Sequence, residues 1–402
     1  MSRHPASPLV MALSLSMLLP QLSGCGGCQE TDLSRTGSVA EDSGIGDGGD
    51  GGFSSSNWGL WLGSAILADG NIGITFYDKD QGGIAFGHGT PGAAGITWQF
   101  EEVDGYPGAS GLDAGDRGMH TSLAVAPDGT AWAAFYDLGA RNLRYAWRAN
   151  TPSGYVWING MADSGEGMTQ DAGLFTSIAI DDSGNPVIAH HDKASGTLRV
   201  AHWQGSAFSG EVVDRGEDRA PVDTGNELVE ASVGMYAHLQ IANGQEYIAY
   251  YDAANGNLKL AIGNAPNYQI YVVDDDEDVG AWPSMAIRGR TIHIAYQDVG
   301  KQHLRYAVGK PDDWTITKVD RNELVGADTA LFFDGDNPGI VYFDGYNNDM
   351  KVARYDGDRW RKSKVARSGA VGFHNEVVFA GGRFYGASYN YTKKTVLFRA
   401  LD

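Results

Sequence analysis

Short apolar segments separated by turns run through the chain from about Asn57 to the end, and one of them recurs with a fixed ending. Each copy is rich in aromatic residues and ends in aspartate, or in asparagine in the last copy. The copies are Phe76-Tyr77-Asp78, Phe135-Tyr136-Asp137, His190-His191-Asp192, Tyr250-Tyr251-Asp252, Tyr296-Gln297-Asp298, Tyr342-Phe343-Asp344 and Ser388-Tyr389-Asn390. Their successive spacings are 59, 55, 60, 46, 46 and 46 residues. Seven units of about 49 residues match the size of a four-stranded propeller blade.

The fifth unit shows the four strands most clearly. Residues 284–287 are small and apolar, as an innermost strand requires, and residues 291–296 follow after a tight turn. Residues 304–307 and 314–319 alternate apolar and polar positions, and the last segment is polar enough to form an outer edge. The sequence therefore predicts an all-β protein, a seven-bladed β-propeller with four-stranded antiparallel blades.

The two ends of the repeat region predict how the ring closes. The seventh unit stops after its third strand, residues 395–400. Residues 56–59, which precede the first unit, are expected to supply all or part of the missing fourth strand. This pairing would join the first blade to the last and remove an exposed edge.

Composition supports strands and turns and excludes several classes of partner. Glycine contributes 56 of the 402 residues and charged residues only 20%, which suits tight turns between short strands. The formal net charge of −20 argues against nucleic acid, because phosphate binding depends on clustered Lys and Arg. It also disfavours an anionic lipid surface and weakly favours cations or neutral sugars as partners.

The N-terminal segment has the pattern of a secretion signal. Residues 9–22 form an apolar stretch that is interrupted by Pro20 and is too short for a comfortable transmembrane helix. It ends in Leu22-Ser23-Gly24-Cys25, which resembles the lipobox of bacterial lipoproteins. The resemblance implies removal of residues 1–24 and lipidation of Cys25, and Gly26 in the next position implies the outer membrane. An ordinary signal peptide with an incidental cysteine is the alternative.

Residues 25–56 are rich in Gly, Ser and Asp and have little to bury. We expect them to be a flexible tether between the lipid anchor and a propeller at residues 57–402. Cys25 and Cys28 are the only cysteines of the chain, so no disulfide is expected within the propeller. The expected location is the cell envelope, on the periplasmic side or at the cell surface.

The repeat from Trp58 to Asp402 resembles the repeats of bacterial seven-bladed propellers in the broad sialidase-like and lectin-like group. The resemblance lies in the rhythm of the repeat and in the Tyr-Asp turn. We find no Ser-x-Asp-x-Gly-x-x-Trp box of the sialidase kind, and we assign no arginine triad for a sialic carboxylate. These departures argue against glycosidase activity, which the fold alone does not imply.

A candidate binding site follows from the first strand of each unit. Each strand begins near a glycine, namely Gly59, Gly118, Gly173, Gly234, Gly280, Gly326 or Gly372. Two positions later, and expected around the central opening, stand Trp61, His120, Phe175, Tyr236, Trp282, Asp328 and His374. Aromatic faces stack on sugars and imidazoles bond hydroxyl groups. We therefore predict a ligand site formed by Trp61, His120, Phe175, Tyr236, Trp282 and His374. The alternative is that these side chains plug the channel or pack between blades.

The loops that lead into the first strands differ in length. They span 14 residues over 104–118, 10 over 163–173 and 20 over 214–234, whereas the last three span 6 each. Because the long loops are consecutive, we expect them to form a wall along one side of the ring face, where function tends to lie in loops. Drift in length without a function is the alternative.

Other candidate chemistry has a simpler structural explanation. The repeated aspartates share one turn position, so we expect them to accept hydrogen bonds from backbone N–H groups two or three residues on. His190 and His191 lack the close spacing of metal ligands, and the acidic run 274–278 lacks the order of a calcium loop. We therefore predict no catalytic residue, no metal site and no cofactor.

Three functions fit these features. The first is a tethered binding protein whose ring face engages a glycan or an envelope protein. The second is a structural role in an envelope assembly, which an apolar outermost strand would favour, although the fourth strands look ordinary. The third is an enzyme acting on polysaccharide through His120 or His190, which needs a base within hydrogen-bond reach of its substrate.

Overall fold

Apolar segments of six to ten residues, each ended by a turn, pair with their neighbours in sequence to give seven antiparallel sheets. The innermost strands of successive sheets contact one another, and the last contacts the first, so the sheets are the blades of a closed ring. This is a seven-bladed β-propeller, as predicted. The computed structural model describes residues 57–92, 95–106, 115–152, 154–166, 170–216 and 232–401, with the backbone of 38–39 and 44–45.

The four strands of each blade follow the chain from the centre outward. Blade 1 contains Trp58–Ile66, Ile72–Asp78, Gly83–Gly92 and Gly95–Asp104. Blade 2 contains Arg117–Val125, Ala131–Asp137, Asn142–Thr151 and Gly154–Asp163. Blade 3 contains Ala172–Ile180, Pro186–Asp192, Thr197–Trp203 and Phe208–Asp214. Blade 4 contains Val233–Ala242, Gln245–Asp252, Asn257–Asn264 and Asn267–Asp274.

The later blades repeat this order with shorter connections. Blade 5 contains Val279–Arg288, Thr291–Asp298, His303–Lys310 and Asp313–Asp320. Blade 6 contains Val325–Asp334, Asn337–Asp344, Asp349–Tyr355 and Trp360–Ala366. Blade 7 contains Val371–Ala380, Arg383–Asn390 and Thr395–Ala400. Among the described residues no helix is long and apolar enough to span a membrane.

Ring closure uses an earlier segment than the sequence predicted. Gly44–Ile45 pairs with Thr395–Ala400 as a short fourth strand of blade 7, and Ser38–Val39 pairs with Gly95–Asp104 as a fifth strand of blade 1. The prediction that residues 56–59 supply the fourth strand is wrong. Trp58 instead opens the innermost strand of blade 1 and is buried between blades 1 and 7. From that central position the chain cannot also reach the outer edge.

The hydrophobic core is divided into seven clusters, one between each pair of adjacent blades. The second strands contribute most to it, because both of their faces are covered. In blades 1, 2 and 3 every residue of this strand is buried. The rigidity of the ring therefore comes from face-to-face packing of blades, which leaves the strand ends free to vary.

The repeated aspartates have the predicted turn role. Asp298 Oδ1 accepts a hydrogen bond from Lys301 N at 2.8 Å, and Asp137 Oδ1 accepts one from Ala140 N at 2.9 Å. Asn390 Oδ1 takes the same role with Lys393 N at 3.0 Å, which explains why asparagine can replace aspartate there.

Among the described residues, five of the seven seams between blades also contain a buried or half-buried ion pair, which we call a seam pair. An aspartate ending the fourth strand of one blade meets a basic residue in the third strand of the next. The pairs are Asp104–Arg144 (3.0 Å), Asp163–Arg199 (2.9 Å), Asp214–Lys259 (3.8 Å), Asp274–Arg305 (2.9 Å) and Asp320–Lys351 (2.8 Å). Burial opposes ionisation of Asp320, but hydrogen bonds from Lys351, Lys362 and Tyr342 lower its pKa to about 2. These charges are therefore retained inside the fold.

Candidate functional site

Every innermost strand contains a β-bulge at the same place. In blade 5, Ala281 pairs with Gln297 and Ser284 with Ala295, so the first strand advances three residues while the second advances two. The same shift occurs in the other six blades. A bulge leaves one residue outside the ladder and redirects its side chain. Seven side chains are thereby presented at one level of the channel.

These seven residues have left-handed backbone conformations. Their φ angles are 51° for Trp61, 53° for His120, 54° for Phe175, 55° for Tyr236, 49° for Trp282, 49° for Asp328 and 52° for His374. Glycine or asparagine adopts this conformation at the lowest cost, whereas other L-residues lose roughly 1–2 kcal/mol each. The chain nevertheless places mostly aromatic residues and histidines here. We call this set the channel belt.

The glycine two positions before each belt residue is required by both its conformation and its surroundings. Gly280 has a φ of 109°, and a Cβ there would lie 2.6 Å from the Cα of Leu258 in the preceding blade. The innermost strand thus approaches its neighbour more closely than any side chain allows. This close approach fixes the position of the bulge relative to the channel.

Neighbouring belt side chains contact one another around most of the ring. Ring centroids are 5.6 Å apart for His374 and Trp61, and 5.1 Å apart for Trp61 and His120. They are 4.7 Å apart for His120 and Phe175, and 4.4 Å for Phe175 and Tyr236. Tyr236 and Trp282 follow at 4.6 Å. All seven belt residues are partly exposed. The structure therefore brings the six predicted residues together in one accessible belt.

The belt is held from two sides. Behind it, Trp61 packs on Tyr77 at 5.5 Å and Tyr236 on Tyr251 at 6.4 Å, both from the second strand of the same blade. The Tyr251 hydroxyl donates to Asp278 at 2.5 Å and so anchors this support to blade 5. From the side, Thr329 Oγ1 donates to the carbonyl oxygen of Trp282 at 2.7 Å. Side chains of the next blade thus hold the strained peptide in place.

Asp328 and His374 interrupt the aromatic part of the belt. Asp328 Oδ1 lies 3.9 Å from His374 Nδ1, and the Asp328 carbonyl accepts a hydrogen bond from Asn375 Nδ2 at 2.8 Å. Burial raises the pKa of the Asp328 carboxyl to about 7, and burial lowers the pKa of His374 to about 4. Burial, with His374 and His191 nearby, lowers the pKa of His120 to about 3. At neutral pH the belt therefore holds neutral imidazoles and a carboxyl that readily changes its charge.

A second acidic group, that of Glu376, lies two residues after His374 in the innermost strand of blade 7. Glu376 Oε2 accepts a hydrogen bond from Ser64 Oγ at 3.0 Å, across the seam to blade 1. Burial raises the pKa of the Glu376 carboxyl to about 7. Asp328 was predicted to lie around the central opening but was left out of the predicted ligand site, and Glu376 was not considered. The sequence nevertheless contained a signal for each acid. In the alignment on the shared glycine, Asp328 stands where the other blades have aromatic residues or histidine, and Glu376 stands where they have small residues or histidine.

His190 and His191, which lie outside the belt, have structural partners. His190 Nε2 lies 3.2 Å from Asp163 Oδ2, and His191 Nδ1 lies 3.0 Å from the carbonyl oxygen of Val233. Both side chains are buried. Within the described residues, no group of three or more His, Cys, Asp or Glu side chains could hold a metal ion. The acidic run is also paired, since Asp274 and Asp276 both bind Arg305.

The long loops that were predicted to form a wall lie largely outside the described residues, at 107–114, 167–169 and 217–231. The described residues that follow two of these loops contact turns of the preceding blade. Arg117 N donates to the carbonyl oxygen of Gly82 at 2.9 Å, and Val233 N to that of Gly196 at 3.1 Å. These contacts join the loops that precede the first strands to the turns between second and third strands. The wall itself stays a prediction.

Comparison with known proteins supports the fold. No protein-family model matches the chain, and no curated protein matches it. Among solved structures, the polysaccharide lyase Uly1 is 12% identical, with a TM-score of 0.52 over 92% of this chain and 100% of that one. The Aleuria aurantia lectin is 12% identical, with a TM-score of 0.46 over 77% and 96% of the two chains.

A further solved structure, the Hadza microbial sialidase Hz136, is 12% identical to the chain, with a TM-score of 0.45 over 86% of this chain and 66% of that one. By their names, these neighbours bind or act on carbohydrate. At such low identities, similarity of structure establishes the architecture, and residues must carry any argument about function. The similarity to Uly1, which extends over 92% of this chain, concerns the architecture alone.

Proposed function

We propose that the chain is an exported, lipid-anchored binding protein that engages a glycan on the channel belt. One observation carries the proposal. At seven positions where glycine or asparagine would be least strained, the chain places two tryptophans, a tyrosine, a phenylalanine, two histidines and an aspartate. Strain of this kind collects at functional sites, where it is maintained by the surrounding structure.

The chemistry of the belt suits a sugar. Trp61, Tyr236 and Trp282 offer aromatic surface for the C–H faces of a pyranose ring. The neutral imidazoles of His120 and His374 can each donate one hydrogen bond and accept another, as hydroxyl groups require. Because the fold is built from packing between blades, the belt is positioned before a ligand arrives. Preorganised groups bind with a smaller entropic cost.

The test is binding of a soluble form, residues 29–402, to a broad panel of polysaccharides and oligosaccharides. This form keeps residues 38–45, whose strands pair with blades 1 and 7. We expect the double variant Trp282→Asn, Tyr236→Asn to lose binding, because asparagine tolerates the left-handed backbone but offers no aromatic surface. The matched control, Tyr155→Asn, Phe379→Asn, removes two exposed aromatic residues elsewhere. Equal binding by both variants would refute the proposed site.

The lipid anchor needs its own test, since residues 1–33 lie outside the described part of the chain. We expect the mature protein to begin at Cys25, to carry acyl groups and to fractionate with the outer membrane. Mass spectrometry of the N-terminal peptide checks the first two points. A Cys25→Ser variant should become soluble, and membrane association that survives this change would exclude the anchor.

Blade 2 supports a second candidate, a role in protein assembly. Its outermost strand, Gly154–Asp163, exposes Tyr155 (55%), Val156 (44%), Ile158 (43%) and Met161 (54%). The expectation that all fourth strands look ordinary is therefore wrong for this blade. An apolar edge strand is a common surface for pairing with another chain. Replacing Val156 and Ile158 with lysine should abolish capture of any envelope partner, and unchanged capture would dismiss this candidate.

A further inference from the structure

The channel belt contains an acid without a basic partner. The ionisable neighbour of Asp328 is His374, whose Nδ1 lies 3.9 Å from Asp328 Oδ1. Burial lowers the pKa of His374 to about 4, so its imidazole is neutral at neutral pH. The innermost strands add no compensating charge near the belt. From the shared glycine through the next four residues, none of the seven strands contains Lys or Arg. The acidic residues in these stretches are Asp328 and Glu376.

This arrangement differs from that of the aspartates in the seam pairs. Asp274, Asp320 and Asp163 all face Arg or Lys within 3 Å. A buried carboxylate is expensive unless it is paired. Among the described residues, the half-buried Asp328 forms no ion pair with Lys or Arg. Burial raises the pKa of this carboxyl to about 7, although the backbone N–H of His374 donates a hydrogen bond to it.

The aromatic belt has the dimensions of a cation site. Neighbouring ring centroids lie 4.4–5.6 Å apart, and interplanar angles between them range from 36° to 62°. A regular sevenfold ring with this spacing has a radius of about 6 Å, which is the reach of a cation–π contact. A cation on the axis is thus within reach of several rings.

We propose that the belt binds an ammonium group of an amine-bearing glycan, seated among Trp61, Tyr236 and Trp282 and paired with the Asp328 carboxylate. This inference rests on the proposed glycan-binding function and specifies its ligand. Ammonium groups are attracted to aromatic faces and to carboxylates, and both are present here without a competing cation. The net charge of −20 draws cations toward the protein and repels anionic polymers.

The test uses the full chain at pH 8, where the Asp328 carboxyl is ionised, and measures affinity by isothermal titration calorimetry. Two probe pairs each compare a cationic ligand with a neutral one, and the first pair also keeps the shape nearly constant. Choline is compared with 3,3-dimethylbutan-1-ol, and N-trimethylated chitosan oligosaccharide with the N-acetylated chitin oligosaccharide. Trimethylation fixes the positive charge at every pH. We expect each cationic probe to bind at least about tenfold more tightly than its neutral partner.

Asp328→Asn is the decisive variant, because asparagine keeps the shape and tolerates the φ of 49°. It should lower the affinity for both cationic probes about 30-fold and leave the affinity for the neutral probes unchanged. The matched control is Asp336→Asn, which removes one negative charge from a fully exposed position in the same blade. The control should change no affinity by more than about twofold, because exposed charges are screened.

The outcomes separate this inference from the proposed function. Equal binding of the chitin and trimethylated oligosaccharides, lost in Trp282→Asn, would overturn the ammonium site and keep the glycan site. Binding of choline but of no oligosaccharide would overturn the sugar ligand and the proposed function together. Equal effects of Asp328→Asn and Asp336→Asn would overturn the role of Asp328. Selective loss in Asp328→Asn alone supports it.

Discussion

The seams between blades and the channel belt are both built by repeating one position around the ring, but they use the repetition differently. At the seams the same chemistry recurs, with aspartate against arginine or lysine and a tyrosine hydroxyl on the aspartate in three blades. At the belt the backbone recurs while the side chain changes from blade to blade. Repetition of chemistry indicates a structural role. Repetition of geometry with varied chemistry indicates a surface adapted to a ligand.

The seams themselves contain a natural contrast. Where the fourth strand of blade 6 ends in Ala366 instead of aspartate, blade 7 has Leu397 in place of the basic residue and Ser388 in place of the tyrosine. The charged set is therefore kept or lost as a whole. Burying one charge without its partner costs far more than replacing both with apolar groups. The following predictions test this contrast first and the belt second.

The largest effect is expected from Arg305→Leu. The Arg305 guanidinium is 1% exposed and bonds Asp274 at 2.9 Å and Asp298 at 2.8 Å. Its loss leaves two buried carboxylates without a cation, so we expect the free energy of unfolding to fall by about 3–5 kcal/mol. Urea denaturation measures it, with Arg361→Leu in an exposed ion pair as the control. A loss no larger than that of the control would contradict the structural role of the seam pair.

A seam exchange should recover much of that loss. The triple variant Asp274→Ala, Asp298→Asn, Arg305→Leu gives the seam between blades 4 and 5 the residues found at Ala366, Asn390 and Leu397. No carboxylate is then buried unpaired, so we expect at least half of the stability lost in Arg305→Leu to return. The Tyr296 hydroxyl loses its acceptor, which explains why recovery is incomplete. A triple variant less stable than Arg305→Leu would show that the seams are not interchangeable.

The belt should tolerate replacement of an aromatic residue by asparagine better than a seam does. In Trp282→Asn, relief of the left-handed conformation offsets part of the lost packing, so we expect the free energy of unfolding to change by less than about 1 kcal/mol. Tyr296→Asn, at a buried seam, should cost about 3–5 kcal/mol. Thermal and urea unfolding of the two variants give the comparison. If Trp282→Asn is as destabilising as Tyr296→Asn, the belt is a structural plug.

The last prediction concerns pH. The pKa of Asp328 is raised from 3.8 to about 7, so its contribution to stability is complete below about pH 4 and is lost as the pH rises through 7. Asp328→Asn should therefore gain stability relative to the unchanged chain between pH 5 and pH 8. The neighbouring His374, His120 and Tyr236 remain in both proteins. Melting temperatures at four pH values measure the difference, and a constant difference would contradict the raised pKa.

The fold and the position of the belt were predictable because both depend on local patterns. The aromatic-Asp ending marks the second strand, and the shared glycine marks the bulge, so counting two residues onward located Trp282 and its equivalents. The fourth strand of blade 7 was misassigned, because Gly44–Ile45, which pairs with Thr395–Ala400, has no distinctive sequence pattern. The seam pairs were missed because each joins residues of two blades, such as Asp274 and Arg305, whose proximity depends on the ring.

By itself the sequence determined the all-β class, the number of blades, the turn role of the aspartates and the residues that would surround the channel. These follow from alternation, spacing and turn chemistry, which act within one repeat. Only the tertiary structure decided the charge state of the belt, because the pKa of Asp328 depends on how deeply it is buried and on which cations lie near it. It also decided that the acidic run 274–278 is paired with Arg305. Electrostatic interactions depend on distances between blades, and the sequence fixes those distances only through packing.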